Sequence, residues 1–195
     1  MKKLGRKIYH LCGGLILVGL YVLLGRALGL LTLLGVFLFA TSVDIARLRL
    51  TRFNEFMYSH FSKFIRDSER DRLTGTPWYV LGVLCSAAFY DLPVAVYSVV
   101  FLACGDVAAT TVGERWGSIK ISGVKSLQGT VAFFVASVIA GTVVNLAFYP
   151  LSPVVFLAGA ATAAVVEILP IKLNDNLTIP LVSGGVMWLM VSAGM

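Results

Sequence analysis

The chain has 195 residues, of which 58% are hydrophobic and 13% charged, with a formal net charge of +6 and a mean hydropathy of +0.88. A soluble domain carries roughly twice that charged fraction, so the composition excludes an ordinary soluble globule and predicts an integral membrane protein. In such a chain the surplus of positive charge reports orientation in the bilayer, and no nucleic-acid partner is needed to explain it.

Seven apolar stretches follow one another at roughly 9–25, 27–43, 77–90, 93–112, 128–149, 152–168 and 179–194. Each is near the length of about 20 residues with which an α-helix crosses a bilayer. The expected fold is all-α: a polytopic integral membrane helix bundle of about seven transmembrane helices, forming a single membrane-embedded domain over residues 1–195. MKKLGRK ahead of the first stretch has the charge of a secretory leader, but no A-x-A-like cleavage site follows and a second span begins at once, so it reads as a retained first helix. Between the second and third stretches, Ile45, Leu48, Phe53, Phe56, Met57, Phe61, Phe64 and Ile65 recur at three- to five-residue spacing among charged residues. That pattern predicts a cytoplasmic amphipathic helix over about 45–73, lying in the interface with its basic face toward anionic headgroups. His60 belongs to its polar face and receives no site role. Cys12, Cys85 and Cys104 stand in apolar spans without a CxxC pair and read as packing residues.

Alternating the loops between the two sides groups Lys2, Lys3, Arg6 and Lys7 with Arg47, Arg49, Arg52, Lys63, Arg66, Arg70 and Arg72, with Arg115, Lys120 and Lys125, and with Lys172. Fifteen of the sixteen lysines and arginines thus share one side, and only Arg26 faces the other. The positive-inside rule makes the shared side cytoplasmic, with the N-terminus there and the C-terminus outside. The expected setting is the inner membrane of a prokaryotic cell.

The polar words RKIYH (6–10), DIAR (44–47), ERDRLTGTP (69–77), GDVAATTVGERWG (105–117), KISGVKSLQGT (120–130), EILP (167–170) and NDNLTIP (174–180) all fall on the cytoplasmic side, where chemistry is therefore expected. Spans three, five and seven begin there, at Thr74-Gly75-Thr76 before Pro77, at Ser126 beside Lys125, and at Thr178 ahead of Pro180. Hydroxyl residues and an early proline are ordinary helix-start signals. Three such N-termini, with Lys125 and Arg72 adjacent, would also offer N–H groups and positive dipole ends to a phosphate.

Spans two, four and six end at the same face with Asp44, Asp106 and Glu167. A carboxylate there opposes the helix dipole and is costly inside a span. Asp106, within VVFLACGDVAATTVG, reads as a metal-binding or catalytic acid; Asp44, one turn before Arg47, reads as half of a local ion pair. Glu167 is either a site residue or the partner of a basic residue such as Lys172. Asp175 stands between Asn174 and Asn176 just ahead of the last span, where either chemistry or an Asx-type cap accounts for it.

The chain has no GxxxxGK[ST] loop, because Lys125-Ser126 lacks the glycine directly before the lysine, and it has no HExxH, GxSxG or protein-kinase signature. An ordinary P-loop ATPase is excluded. DIAR also lacks the spaced aspartates of a CDP-alcohol phosphotransferase. The ordered set RKIYH, TGTPWYVLG, GDVAATTVGERWG, KSLQGTVAFF and EILPIKLNDNLTIPL, spread over nearly the whole chain, resembles the CTP-dependent lipid kinases that include dolichol kinase, phytol kinase and the yeast-type diacylglycerol kinase.

The resemblance implies transfer of the γ-phosphate of CTP, as co-substrate, to the hydroxyl of a membrane lipid alcohol, whether a polyprenol, a phytol-like isoprenoid alcohol or diacylglycerol, with Mg²⁺ as cofactor. On that footing Asp106 and Asp175 hold Mg²⁺ or act on the acceptor proton, and Lys125 joins them as a catalytic residue. Arg6, Lys7, Arg72 and Lys120 contact phosphates, while Thr74, Gly75, Gly105, Gly113, Gly117, Ser126, Gly129, Asn176 and Thr178 shape the nucleotide cradle. The family's N-terminal RKxxH adds His10, and Glu167 and Asn174 complete the candidates.

The GD–G–KS–G core is shared with the CDP-diacylglycerol synthases, which also use CTP. Their C-terminal signature carries basic and acidic residues that NDNLTIP lacks, so a phosphatidate cytidylyltransferase is the second reading. A small transporter or channel is the third. It predicts polar residues along the spans toward the outside and an inverted repeat of the two halves, whereas here the polar residues gather at one face.

Overall fold

The first two apolar stretches form one helical hairpin, α1 (Lys2–Arg49), broken at Gly25. Gly25 has φ 72 and ψ 174, a region open essentially to glycine alone. The chain reverses there. A Cβ added to Gly29 would stand 3.1 Å from the Cα of Tyr21, whereas eight residues of straight helix would separate the two by about 12 Å. Arg26, the lone cation of its side, donates Nη2 to the Ala88 carbonyl at 3.1 Å, and the Tyr21 phenol donates to the Ala87 carbonyl at 3.1 Å. The turn is thereby tied to the end of the third helix.

The computed structural model describes residues 2–62, 64–65, 67–123 and 125–195. Lys63 and Arg66, counted above among the second loop's cations, and Val124 of KISGVKSLQGT lie outside the described residues. After α1 come α2 (Thr51–Phe61), a 3₁₀ turn (Asp67–Glu69), α3 (Gly75–Phe89), α4 (Leu92–Trp116), β1 (Lys120–Ser122), β2 (Lys125–Ser126), α5 (Leu127–Ala147), α6 (Pro153–Ile168) and α7 (Asp175–Ser192). The two arms of α1 and helices α3 to α7 match the seven apolar stretches. One departure from an all-helical reading is the small antiparallel hairpin β1–β2, which pairs Lys120 with Ser126 and Ser122 with Lys125. Gly123 takes φ 57 at its turn, the left-handed geometry that two-residue hairpins favour.

The bundle is built around α4. Of its apolar stretch 67% is buried, against 11% in α1 and 22% in α5, and Tyr97, Phe101 and Leu102 at its middle have no exposed surface. The outer helices instead turn large apolar side chains outward: Leu23 is 84% exposed, Phe39 71% and Leu146 83%. Water does not tolerate so much apolar surface, and lipid requires it. Helices α1, α4 and α5 are long and apolar enough to cross a membrane. Helices α3 and α6, with 15 and 16 residues, reach only about 23 Å. They therefore end short of α4, and the space left at one end is the cleft described below.

The segment 45–73 is not one interfacial helix. Its first residues complete α1, α2 is the one α-helix wholly within it among the described residues, and residues 69–74 are bonded back onto α1. The reason is Arg47, which is not on a lipid-facing basic face but only 1% exposed. Its Nε donates to Asp44 Oδ1 at 2.9 Å, its Nη1 to the carbonyls of Glu69 at 3.1 Å and Arg70 at 2.9 Å, and its Nη2 to the Arg72 carbonyl at 2.6 Å. The other carboxylate oxygen of Asp44 accepts from the Thr74 backbone N–H at 2.6 Å and the Thr74 hydroxyl at 2.8 Å. The ion pair expected of Asp44 and Arg47 thus exists, and it also holds the loop leading into α3. On the outer side of that loop the Tyr58 phenol donates to Asp67. The Asp67 carboxylate holds the phenol above its usual pKa.

Arg47→Met would leave Asp44 buried without its cation and take one donor from each of three loop carbonyls. We expect a loss of about 3–5 kcal/mol, read as a lowered Tm in detergent. Arg47→Lys should restore little, because an ammonium cannot reproduce the guanidinium fork; an unchanged Tm in Arg47→Met would remove the pair from its structural role.

Candidate active site

A cleft of about 330 Å³ opens at the polar end of the bundle, within the range of about 300–1,000 Å³ usual for ligand sites. Arg6, Tyr9 and His10 of α1 line it on one side, Thr74, Gly75, Thr76 and Tyr79 of α3 on another, and Asp106 of α4 at its base. Ser122 and Lys125 of the β-hairpin and Asn174, Asp175 and Asn176 at the start of α7 close it. Asp106 lies ten residues before the end of α4, about 15 Å down that helix, level with the beginning of the shorter α3.

Two of the three helix starts expected at this face begin where their caps predict. Thr74 caps α3 and Ser126 caps α5, the latter accepting from Gly129 N–H at 3.2 Å. The third begins a turn earlier than Thr178 and Pro180 suggest: Asn174 is the cap, its side chain accepting from Asn176 N–H at 3.0 Å. Pro180 lies inside α7 and Thr178 donates to the Asn174 carbonyl within the helix at 3.4 Å. The N–H groups at the start of α3 are already engaged, Thr74 by Asp44, Gly75 by Glu69 Oε1 at 3.0 Å, and Thr76 by the Thr74 hydroxyl at 3.4 Å. The expectation that this helix start offers its N–H groups to phosphate is corrected accordingly. Positive charge in the cleft comes from side chains.

Those side chains are Arg6 and Lys125. The Lys125 ammonium donates to Asp175 Oδ2 at 2.8 Å and to the Glu167 carbonyl, so the hairpin is joined to the ends of α6 and α7. Asp175 is thereby released from capping, which its neighbour Asn174 performs, and is held by a cation at the cleft wall. Glu167 is 9% exposed and accepts from the Thr130 hydroxyl at 3.2 Å. Its contact with the cation of the hairpin runs through its backbone rather than through an ion pair with Lys172. On the far side, His10 Nε2 lies 3.7 Å from Asp106 Oδ2, an ion-pair separation when the imidazole is protonated but longer than a hydrogen bond. The ring of His10 is stacked on Tyr79, centroids 4.3 Å apart and planes 8° from parallel.

The structure thus brings together Arg6, His10, Thr74, Gly75, Asp106, Lys125, Asn174, Asp175 and Asn176. It places the other candidates elsewhere. Lys7 lines a smaller recess shared with Arg6, His10, Asp106 and Asn176 of the cleft, and pairs with Glu114 at 3.1 Å. Arg72 is exposed and enters the structure through its carbonyl on Arg47, and Lys120 is exposed on β1. Gly105, Gly113, Gly117 and Gly129 do not line the cleft, and neighbouring atoms stand close to each of them. A Cβ at Gly105 would stand 2.5 Å from the Phe133 ring, one at Gly129 3.0 Å from the Ala109 carbonyl, and one at Gly117 would overlap Ser126 Oγ. Small residues let α4 and α5 cross closely here. Ser126 is 3% exposed at its cap.

Residues missed by the sequence reading are Tyr9, Phe64, Glu69, Thr76, Tyr79, Ser122, Leu169, Pro170, Ile171 and Leu173, all on the cleft wall. A signal existed for Thr76 and Tyr79, which stand three apart and so share a helix face. Tyr9 and Phe64 meet only across the fold, rings 5.6 Å apart. Among the described residues no three His, Cys, Asp or Glu side chains converge as a self-sufficient metal site would require.

Fold and site together define a helical membrane protein with a charged cleft at one end of its bundle. No protein-family model matches the chain, and no solved structure matches it. Among curated proteins, it is 33% identical over 149 residues to a CTP-dependent diacylglycerol kinase 1 of Eremothecium gossypii, covering 74% of this chain and 47% of the relative. A protein of the same name in Schizosaccharomyces pombe is 29% identical over 169 residues, covering 80% of this chain and 78% of that one. A probable chloroplastic phytol kinase 2 of Glycine max is 25% identical over 98% of this chain and 67% of its own length. The chain belongs to the CTP-dependent lipid kinase family that these proteins represent. It spans about half the length, 47%, of the first two diacylglycerol kinase relatives.

The division of labour between Asn174 and Asp175 is testable by stability alone. Asn174→Ala removes the cap of α7 and should cost about 1 kcal/mol. Asp175→Asn keeps that cap and breaks only a half-exposed ion pair, worth less than about 1 kcal/mol. Thermal unfolding in detergent should therefore show the larger Tm loss in Asn174→Ala; the reverse order would return Asp175 to a capping role.

Proposed function

We propose that the protein is a lipid kinase that transfers the γ-phosphate of CTP to the hydroxyl of a membrane lipid alcohol. The observation that carries the reading is the convergence of Arg6, Lys125, Asp106 and Asp175 on one cleft of an otherwise apolar bundle, in a chain whose relatives are named as CTP-dependent diacylglycerol kinases and phytol kinases. Phosphoryl transfer asks little covalent chemistry of a protein: it needs the phosphates held, their charge offset and the acceptor proton removed. Arg6 and Lys125 would hold the phosphates. The lipid oxygen forms a bond to the γ-phosphorus while the bond to the β,γ-bridging oxygen breaks, releasing CDP. Asp175 is already tied to Lys125, which leaves Asp106 better placed to accept the hydroxyl proton.

Two carboxylates on one cleft suit Mg²⁺, which usually takes one or two protein carboxylates and completes its shell with phosphate oxygens and water. Asp106 and Asp175 are the residues that would hold it. The ion would offset the charge of the phosphates. By the charge rule the cleft end of the bundle is cytoplasmic, with the C-terminus of α7 on the outer side. The names of the relatives favour diacylglycerol and isoprenoid alcohols as acceptors to try first.

The reading is tested by incubating purified protein with γ-labelled CTP or ATP, Mg²⁺ and micelles carrying either diacylglycerol or an isoprenoid alcohol. Label should pass from CTP to one of the lipids, and Asp175→Asn and Asp106→Asn should each lower turnover by about a hundredfold, the loss of one general-base or ligand contribution. Equal use of ATP would overturn the donor assignment, and pyrophosphate release with a CDP-lipid product would replace kinase by cytidylyltransferase. For sidedness, single cysteines near Arg115 and Asp175, in a background lacking Cys12, Cys85 and Cys104, should react with an impermeant thiol reagent only when the cytoplasmic face is open. Labelling from outside would invert the topology.

A further inference from the structure

We propose that Tyr79 is a positioning residue that acts through His10 to hold the imidazole against Asp106, an inference that rests on the phosphotransfer reading of the cleft. Tyr79 is 3% exposed and touches His10 twice. Its ring lies flat on the imidazole at 4.3 Å, and its hydroxyl donates to the His10 backbone carbonyl at 2.9 Å. One side chain therefore fixes both the plane of the imidazole and the stretch of α1 that carries it. The ring's Nε2, closed off from solvent, is left facing Asp106 Oδ2 at 3.7 Å. His10 cannot meet a substrate through that nitrogen; what it can do is set the orientation and charge environment of the carboxylate that lines the cleft.

Ordinary core packing accounts for this arrangement poorly, and Gly14 is the reason. A Cβ at Gly14 would overlap the Tyr79 phenol oxygen and approach the side chain of Ala103 at 3.0 Å. The space left by that missing methyl is filled by the hydroxyl. A Phe opposite an Ala would bury no polar atom and stiffen the helix, since Ala is favoured over Gly there; the new Cβ would stand 3.0 Å from the ring carbon Cζ, a fit that a shift of a few tenths of an ångström relieves. The pair present, Tyr with Gly, gives up those gains and obtains the bond to the His10 carbonyl. A carbonyl has two lone pairs, so the bond adds to the helix bond without replacing it. The result is a polar line, Tyr79 to His10 to Asp106, running from between α1 and α3 to the base of the cleft.

The decisive variant is Gly14→Ala combined with Tyr79→Phe, which refills the volume and removes only the hydroxyl. It should remain folded, with a Tm within a few degrees of wild type, yet lower kcat for labelled lipid by about tenfold with the KM for CTP and for lipid within about twofold. The same pair of changes made on His10→Ala should lower kcat no further, because the path through His10 is already cut. A refilled variant with wild-type kcat, or full additivity with His10→Ala, would reduce Tyr79 to packing. A second readout does not depend on the reaction. The chain has two histidines, so His60→Gln leaves the His10 imidazole as a single NMR signal. That signal should be sharp and displaced by the Tyr79 ring current in the parent, and moved or broadened in the refilled variant. An unchanged signal would overturn the proposal whatever the protein phosphorylates, whereas a wild-type protein inert toward CTP with an intact clamp would sink only the kinase reading.

Discussion

Everything at the working end of this bundle depends on the burial of one guanidinium. A guanidinium taken out of water must be met by hydrogen bonds over its whole fork. The chain meets that demand with Asp44 one turn earlier and with three carbonyls from residues 69–72, which are thereby tied to α1. Because Asp44 spends its second oxygen on Thr74, the same interaction sets where α3 begins. The start of α3 is one wall of the cleft, so a buried ion pair outside the cleft fixes the position of residues inside it.

A second constraint comes from the medium. Polar atoms in a lipid-embedded bundle must be satisfied internally or face an aqueous cavity. Here they do both, at one end. The first amides of α3 are bonded by Asp44, Glu69 and Thr74, and the caps Ser126 and Asn174 each hold one amide of α5 and α7, all supplied by the chain itself. The cations Arg6 and Lys125 are what the cleft wall adds in positive charge. Lys125 shows the principle: its ammonium is shared between Asp175 and the end of α6, and the small β-hairpin exists to deliver it there.

The depth of Asp106 follows from unequal helix lengths. With α3 and α6 short and α4 long, an acid in the middle of α4 is reached by the first turn of α3 and by the N-terminal turns of α1. The same geometry puts Asp106 well inside the end of the bundle, on the wall of the cleft.

The linear chain by itself determined the medium, the apolar stretches, the end of the bundle at which polar residues collect, and the central acids Asp106 and Asp175, because each is written in local composition, in the length of an apolar run, or in the cost of a carboxylate within one. It also indicated the family through five ordered words. It could not say that Arg47 is buried, that Gly113 and Gly129 are a helix crossing, or that Tyr79 lies flat on His10, since each of these is a contact between residues tens of positions apart. Glycine read locally means only backbone freedom; whether it admits a phosphate, a neighbouring helix or a phenol oxygen depends on what the fold brings against it. Asp175 is the sharpest instance. Its two neighbouring asparagines made capping legible from the residues alone, and the tertiary structure gives the cap to Asn174 and pairs Asp175 with Lys125, because a cap is satisfied within one helical turn while a cation to hold a carboxylate had to arrive from another part of the chain.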